Sequence, residues 1–172
     1  KNLKYLLEIL PKKSTVVGCV VSEVSPFGKK ESFFKKAKKT LDIFGLRFFL
    51  YYSLKFILSK LNYNNNIFRF LKSNEIDLIK LDSSINSRKS IEKIKFYKPD
   101  LLASILGNQI FKDPIINLAP KGCINLHTAL LPKYRGLMPT FWVLKNNETK
   151  TGVSVFFVDK GIDSGPIIVQ KE

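Results

Sequence analysis

Histidine, tryptophan and methionine occur once each in this 172-residue chain, and cysteine only twice. Cys19 and Cys123 lie far apart and form no CxxC or other metal-ligand spacing, so no metal site and no disulfide framework is expected from them. Both sit inside apolar runs and read as reduced core residues. No glycine-rich phosphate loop and no GxGxxG is present, which disfavours a nucleotide dehydrogenase. The opening Lys1-Asn2-Leu3-Lys4 carries no hydrophobic signal region. Acid is scarce as well: 14 Asp and Glu stand against 29 Lys and Arg, a formal charge of +15. That balance points to anionic partners such as RNA, phosphorylated metabolites or an acidic membrane surface. It is equally what lysine does as the default surface residue, since the charge is not gathered into one arginine-rich motif.

What is present is otherwise ordinary. A hydrophobic share of 45% and a charged share of 25% fit a globular protein of one-domain size, long enough to bury a substantial core. In residues 1–10, Leu3, Leu6, Leu7 and Leu10 fall at i, i+3, i+4 and i+7, one apolar stripe of a helix closed by Pro11. Residues 15–21 are a continuous, mostly β-branched run, as in a strand buried on both faces. Helix then strand is half of a βαβ unit, so a first strand ahead of Lys1 is expected to be missing, and the abrupt stop after residue 170 reads as a missing C-terminal part.

Residues 27–61 are a basic, aromatic, insertion-like block with nine basic side chains against two acidic ones. Arg47, Lys55 and Lys60 interrupt the apolar run, and a membrane span needs about 20 apolar residues with few charges. A helix packed on the sheet, a helix lying on a membrane surface with snorkelling Lys and Arg, a partner-binding helix and a substrate-side lid all fit this block. After a polar loop at 62–66, helix over 67–74 and strand over 76–81 are expected. Next come helix over 84–97, strand over 100–106, a connector over 110–118 and strand over 123–128. A helix opening at Pro139 and strands over 151–158 and 165–170 complete the chain. The alternation predicts a single α/β domain over residues 1–172, an open, mostly parallel, Rossmann-like sheet flanked by helices.

In such sheets ligands bind outside the carboxyl ends of the strands. Three strand ends here are polar: Gly107-Asn108, Asn125-Leu126-His127, and the loop from Asp159 to Asp163. Asn125 and His127 are two apart, so on a strand their side chains leave on the same face. Their ordinary alternative is structural, with Asn125 satisfying loop backbone and Asp163 serving as a turn residue.

Asn125-Leu126-His127-Thr128-Ala129-Leu130-Leu131-Pro132 resembles the Asn-x-His-x-Ser-Leu-Leu-Pro segment of the formyltransferase family. Thr151-Gly152-Val153-Ser154-Val155 resembles the strand entering that family's second motif. Asp159-Lys160-Gly161-Ile162-Asp163-Ser164-Gly165-Pro166 resembles its Asp-x-Gly-x-Asp-x-Gly loop, and Lys98-Pro99-Asp100-Leu101-Leu102 its strand feeding the folate pocket. The likeness covers residues 98–171. Ala129 departs from it, where Ser is usual, which bears on loop contacts rather than on the chemistry.

The resemblance implies formyl transfer from 10-formyltetrahydrofolate to a primary amine, with Asn125, His127 and Asp163 catalytic. It implies folate contacts, mostly through backbone, at Leu102, Ser104, Ile105, Leu106, Gly107, Val158, Asp159, Gly161 and Ile162. Lys133, Tyr134, Arg135 and Gly136 follow the histidine and are the candidates for an anionic acceptor such as a phosphate, with a solvated loop as the equal alternative. An amino sugar nucleotide or an aminoacyl-tRNA is favoured over a purine precursor as that acceptor. Hydrolysis of 10-formyltetrahydrofolate is the nearest alternative reaction, and a non-catalytic membrane- or RNA-binding module on the same scaffold the alternative of another class. A cytoplasmic protein is expected, with association at an anionic membrane surface left open by the aromatic block.

Overall fold

The computed structural model describes residues 15–21, 32–61, 67–81, 83–105, 107 and 109–172. The helix expected over residues 1–10, the loop at 62–66, the first five residues of the aromatic block, and Leu106 and Asn108 fall outside them. The described residues form two compact units.

The first unit holds α1 (Phe33–Leu61) and α2 (Ile67–Ser73). α1 is two helical runs joined at Gly45, whose φ of 78° and ψ of 171° leave the helical region altogether; glycine takes that positive φ without a steric penalty. None of its described side chains is fully buried. In α2, Leu71 is the buried anchor. The run read as a strand buried on both faces is reduced to one parallel bridge, Cys19 with Leu78, closed by Cys19 N–H donating to Asp77 O at 2.8 Å. Val17, in that run, is 44% exposed.

The second unit carries α3 (Arg88–Phe96), β1 (Leu102–Ile105), α4 (Asp113–Ile116), β2 (Cys123–His127), α5 (Pro139–Lys145), β3 (Val153–Phe157) and β4 (Ile167–Lys171). α3 starts where Ser87 caps it, its hydroxyl accepting from Ser90 N–H at 3.2 Å, and it buries Ser90 and Ile94. The turn before it is tied to the connector after β1. Asn86 donates to Ile110 O at 2.8 Å and accepts from Lys112 N–H at 2.8 Å. α5 opens on Pro139, a residue suited to the first helical turn because the amide it lacks would have no intrahelical partner there.

The sheet runs β1-β2-β3-β4. The open α/β sheet flanked by helices is as expected, but its pairing is mixed rather than mostly parallel. Only β1–β2 is parallel; β2–β3 and β3–β4 are antiparallel. The reason lies in the connections. Nine residues link Phe157 to Ile167, fewer than the dozen or so a parallel crossover requires. α5 and its flanking loops return β3 to the end of β2 they started from, with His127 opposite Ser154. The core of this unit gathers Ile94, Ile115, Ala119, Cys123, Ala129, Leu131, Val143 and Phe156, all buried.

Candidate active site

β2 is the spine of the site. Its alternation puts Cys123, Asn125 and His127 on one face. The ladder sets Ser104 of β1 beside Asn125, and Phe156 and Ser154 of β3 beside Asn125 and His127. Cys123 fills the buried end of that face; burial pushes its thiol up to about 11. His127 is buried at the polar end, 6% exposed. Its Nε2 lies 2.8 Å from Tyr134 O. A carbonyl only accepts, so this nitrogen carries a hydrogen. Nδ1 faces Asp163 Oδ2 at 3.4 Å, a long contact that becomes an ion pair when Nδ1 is protonated too.

Asp163 is brought there by the loop between β3 and β4, where it sits at φ 47°, in the left-handed region. The same Oδ2 accepts Gly136 N–H at 2.8 Å. One carboxylate oxygen thus joins the loop after β2 to the ring at the end of β2. Asn125 Oδ1 is buried and has no hydrogen-bond partner among the described residues. A buried acceptor left open costs of order 1–3 kcal/mol, so this atom suits a hydrogen-bond donor on a bound substrate.

The loop after His127 is pinned from two sides. Ser154, fully buried, donates to Ala129 O at 2.7 Å, accepts Leu131 N–H at 3.0 Å and accepts from Gln170 Nε2 at 2.8 Å. Gln170 Nε2 also lies 2.8 Å from Leu131 O. Further on, Tyr134, at φ 57°, gives its carbonyl to His127 and its hydroxyl to Glu148 Oε1 at 2.8 Å. That hydroxyl, with the Lys133 ammonium at 3.3 Å, holds the Glu148 carboxyl below its ordinary range.

The acceptor candidates therefore divide. Tyr134 and Gly136 are engaged with the protein, holding His127 and Asp163, and Lys133 is paired with Glu148. Arg135 is exposed. In the acidic loop, Val158 N–H donates to Cys123 O at 2.8 Å and Gly161 N–H to Asp159 Oδ1 at 3.0 Å. Asp159 Oδ1 also takes the Ser164 hydroxyl at 2.7 Å, so these groups hold the loop's own shape. Ile162 is 56% exposed. Leu102, Ser104 and Ile105 lie on β1, the edge of the described sheet, with Gly107 just beyond it. Ser154, Gln170 and Glu148 escaped the sequence reading. A lone hydroxyl inside Val-Ser-Val-Phe-Phe was the signal for the first; the other two carried none. A cavity of about 380 Å3 in the first unit, lined by Phe68, Leu71 and Ile76 among others, holds none of the candidate residues.

A family model described as "Formyl transferase" matches residues 59–172. The chain belongs to the formyltransferase family. A methionyl-tRNA formyltransferase of Kosmotoga olearia is 41% identical over 88 residues, 51% of this chain and 28% of that protein. One of Clostridioides difficile is 42% identical over 85 residues, 49% of this chain and 28% of its own length. The chain thus spans little more than a quarter of these curated relatives. Among solved structures, glycinamide ribonucleotide transformylase 1 from Symbiobacterium toebii superposes with a TM-score of 0.50 at 26% identity, covering 59% of this chain and 50% of that one. The Geobacillus kaustophilus protein of the same name gives 0.53 at 22% identity, covering 61% and 59%, a likeness of fold.

Proposed function

We propose that the protein transfers a formyl group from 10-formyltetrahydrofolate to a primary amine, and that Asn125, His127 and Asp163 carry the reaction. The observation behind this is the strand end itself: a buried histidine fixed through Nε2, a carboxylate beside Nδ1, and an asparagine whose buried Oδ1 has no partner among the described residues. The folate supplies the formyl group on an amide-like nitrogen. That open acceptor fits an amine N–H arriving at the formyl carbon. The amide nitrogen of Asn125 then donates to the formyl oxygen as negative charge develops on it, the role of an oxyanion donor. His127 assists at the same centre, and Asp163 orients the ring and helps take the proton the amine must lose. The bond between the formyl carbon and the folate nitrogen then breaks as that nitrogen takes up a proton.

The folate contacts we assign to backbone of Leu102, Ser104, Ile105, Leu106 and Gly107, and of Val158, Asp159, Gly161 and Ile162. Because the Val158 and Gly161 amides are already used within the protein, the acidic loop contributes its remaining groups. Arg135, which is exposed, is the cation we assign to an acceptor phosphate, together with Lys133, while Tyr134 and Gly136 act by positioning the catalytic pair. An amino sugar nucleotide or aminoacyl-tRNA is the favoured acceptor class; the methionyl-tRNA formyltransferase relatives and the net positive charge support it. We read residues 1–172 as a catalytic domain incomplete at both ends with an insertion-like segment at 27–61; the family match covers residues 59–172 of it.

The test is to incubate the full-length protein with 10-formyltetrahydrofolate and a panel of amines, one from each acceptor class. The expected result is an N-formyl product with at least one of them. Formate release that needs no amine assigns hydrolysis instead, and neither product in any mixture contradicts the reading.

A further inference from the structure

The residues lying ahead of the family match carry a surface of a different character. Beyond the break at Gly45, α1 continues to Leu61. At about 100° per residue, Leu46, Leu50, Leu54 and Ile57 fall within one narrow arc. They are 62%, 57%, 58% and 55% exposed. Alongside them Arg47, Tyr51 and Lys55 form a second stripe at i, i+4 and i+8, with Lys55 Nζ over the Tyr51 ring at 5.8 Å from its centroid. Among the described side chains of α1, the exposed charged residues are Lys35, Lys38, Arg47 and Lys55 against Asp42. Among the described residues no helix is long and apolar enough to cross a membrane.

We propose that the part of α1 after Gly45 docks in the plane of an anionic membrane surface. Leu46, Leu50, Leu54 and Ile57 enter the boundary between headgroups and acyl chains, and Arg47 and Lys55 reach lipid phosphates at its rim. The geometry suits this: the run of 16 residues after Gly45 is about 24 Å long at helical rise, too short for the hydrocarbon core at about 30 Å but ample for lying flat. Charge complementarity chooses an anionic surface over a neutral one, since basic side chains next to a membrane are drawn to acidic lipids. The stripe of Leu46, Leu50, Leu54 and Ile57 is aliphatic and suits acyl chains, while the exposed rings of Tyr51, Tyr52 and Phe56 lie outside its arc. This surface uses no residue of the formyl-transfer site.

The test is flotation of the full-length protein with vesicles of phosphatidylglycerol and phosphatidylcholine, and with phosphatidylcholine alone, in the absence of folate and amine. Binding to the acidic vesicles should exceed that to neutral ones by about tenfold or more and weaken with salt. Leu50→Glu with Leu54→Glu should lower it by about a hundredfold, with far-UV circular dichroism confirming the fold. If that variant does not fold, Arg47→Gln with Lys55→Gln decides, with an expected loss of about tenfold. No binding to acidic vesicles, or binding unchanged in the folded variants, overturns the proposal. So does selective binding of RNA that these substitutions abolish while vesicles stay unbound. Because neither substrate is present, the outcome is independent of the formyl-transfer reading.

Discussion

Both ring nitrogens of His127 face acceptors, a carbonyl on one side and a carboxylate on the other. The role proposed for it therefore depends on residues that hold it as much as on the ring. Replacing Asp163 by Asn keeps an oxygen for Gly136 N–H but removes the charge beside Nδ1. Replacing it by Ala removes both. Steady-state kinetics should show a large loss for each, with Ala also disordering the Gly136 loop, visible as a raised KM for the acceptor. At Cys123 the sign of the pH effect is fixed by its raised thiol. The folded value, about 11, lies above the unfolded value near 8.5. Its contribution is thus present below about pH 8.5 and fades as pH rises toward 11. Stability measured by denaturant should fall over that window, and a Cys123→Ser variant should lose that part of the slope. At neutral pH the buried thiol should resist alkylation in the native protein and react after unfolding.

Among the elements, the loop after β2 and the loop before β4 fix the site. Ser154→Ala removes the hydroxyl that serves Ala129 O, Leu131 N–H and Gln170. Buried groups left without partners cost of order 1–3 kcal/mol, so chemical denaturation should show a loss of that size. Gly165 is required by space: a Cβ there would strike the Phe157 carbonyl. Gly165→Ala should cost about 1–3 kcal/mol or more by overpacking and displace Asp163. Glu148 marks the outer anchor. Its carboxyl is held below the ordinary range, so its hold on Tyr134 and Lys133 is complete above the unfolded value near 4.3 and is lost as pH falls through the folded one.

For the molecule as a whole, residues 98–171 were the legible part. Apolar runs ending in polar groups mark strands, and Pro99, Pro120 and Pro139 punctuate them, so the strands could be read directly, while the Asn125–His127–Asp163 cluster came from the family resemblance. Strand direction could not, because alternation says which face a side chain takes and nothing about the direction of its neighbour. The length of the β3–β4 link was the one usable clue. Backbone partners such as Tyr134 O leave no trace in residue identity, which is why Tyr134 reads as a substrate contact in sequence and as a positioning residue in the structure. In α1 the cations scattered among aromatics hide the break at Gly45, and periodicity alone does not tell an exposed apolar stripe from a core-facing one.

The central claim is that three side chains at one end of β2 move a formyl group. Single-turnover transfer from labelled 10-formyltetrahydrofolate to an accepted amine, with wild-type full-length protein and its Asn125→Ala, His127→Ala and Asp163→Ala variants, addresses it most directly. The account predicts N-formyl product with the wild type and rates lower by roughly 10²–10⁴ in each variant, with folded structure retained. Transfer at near wild-type rate in any one of them contradicts it.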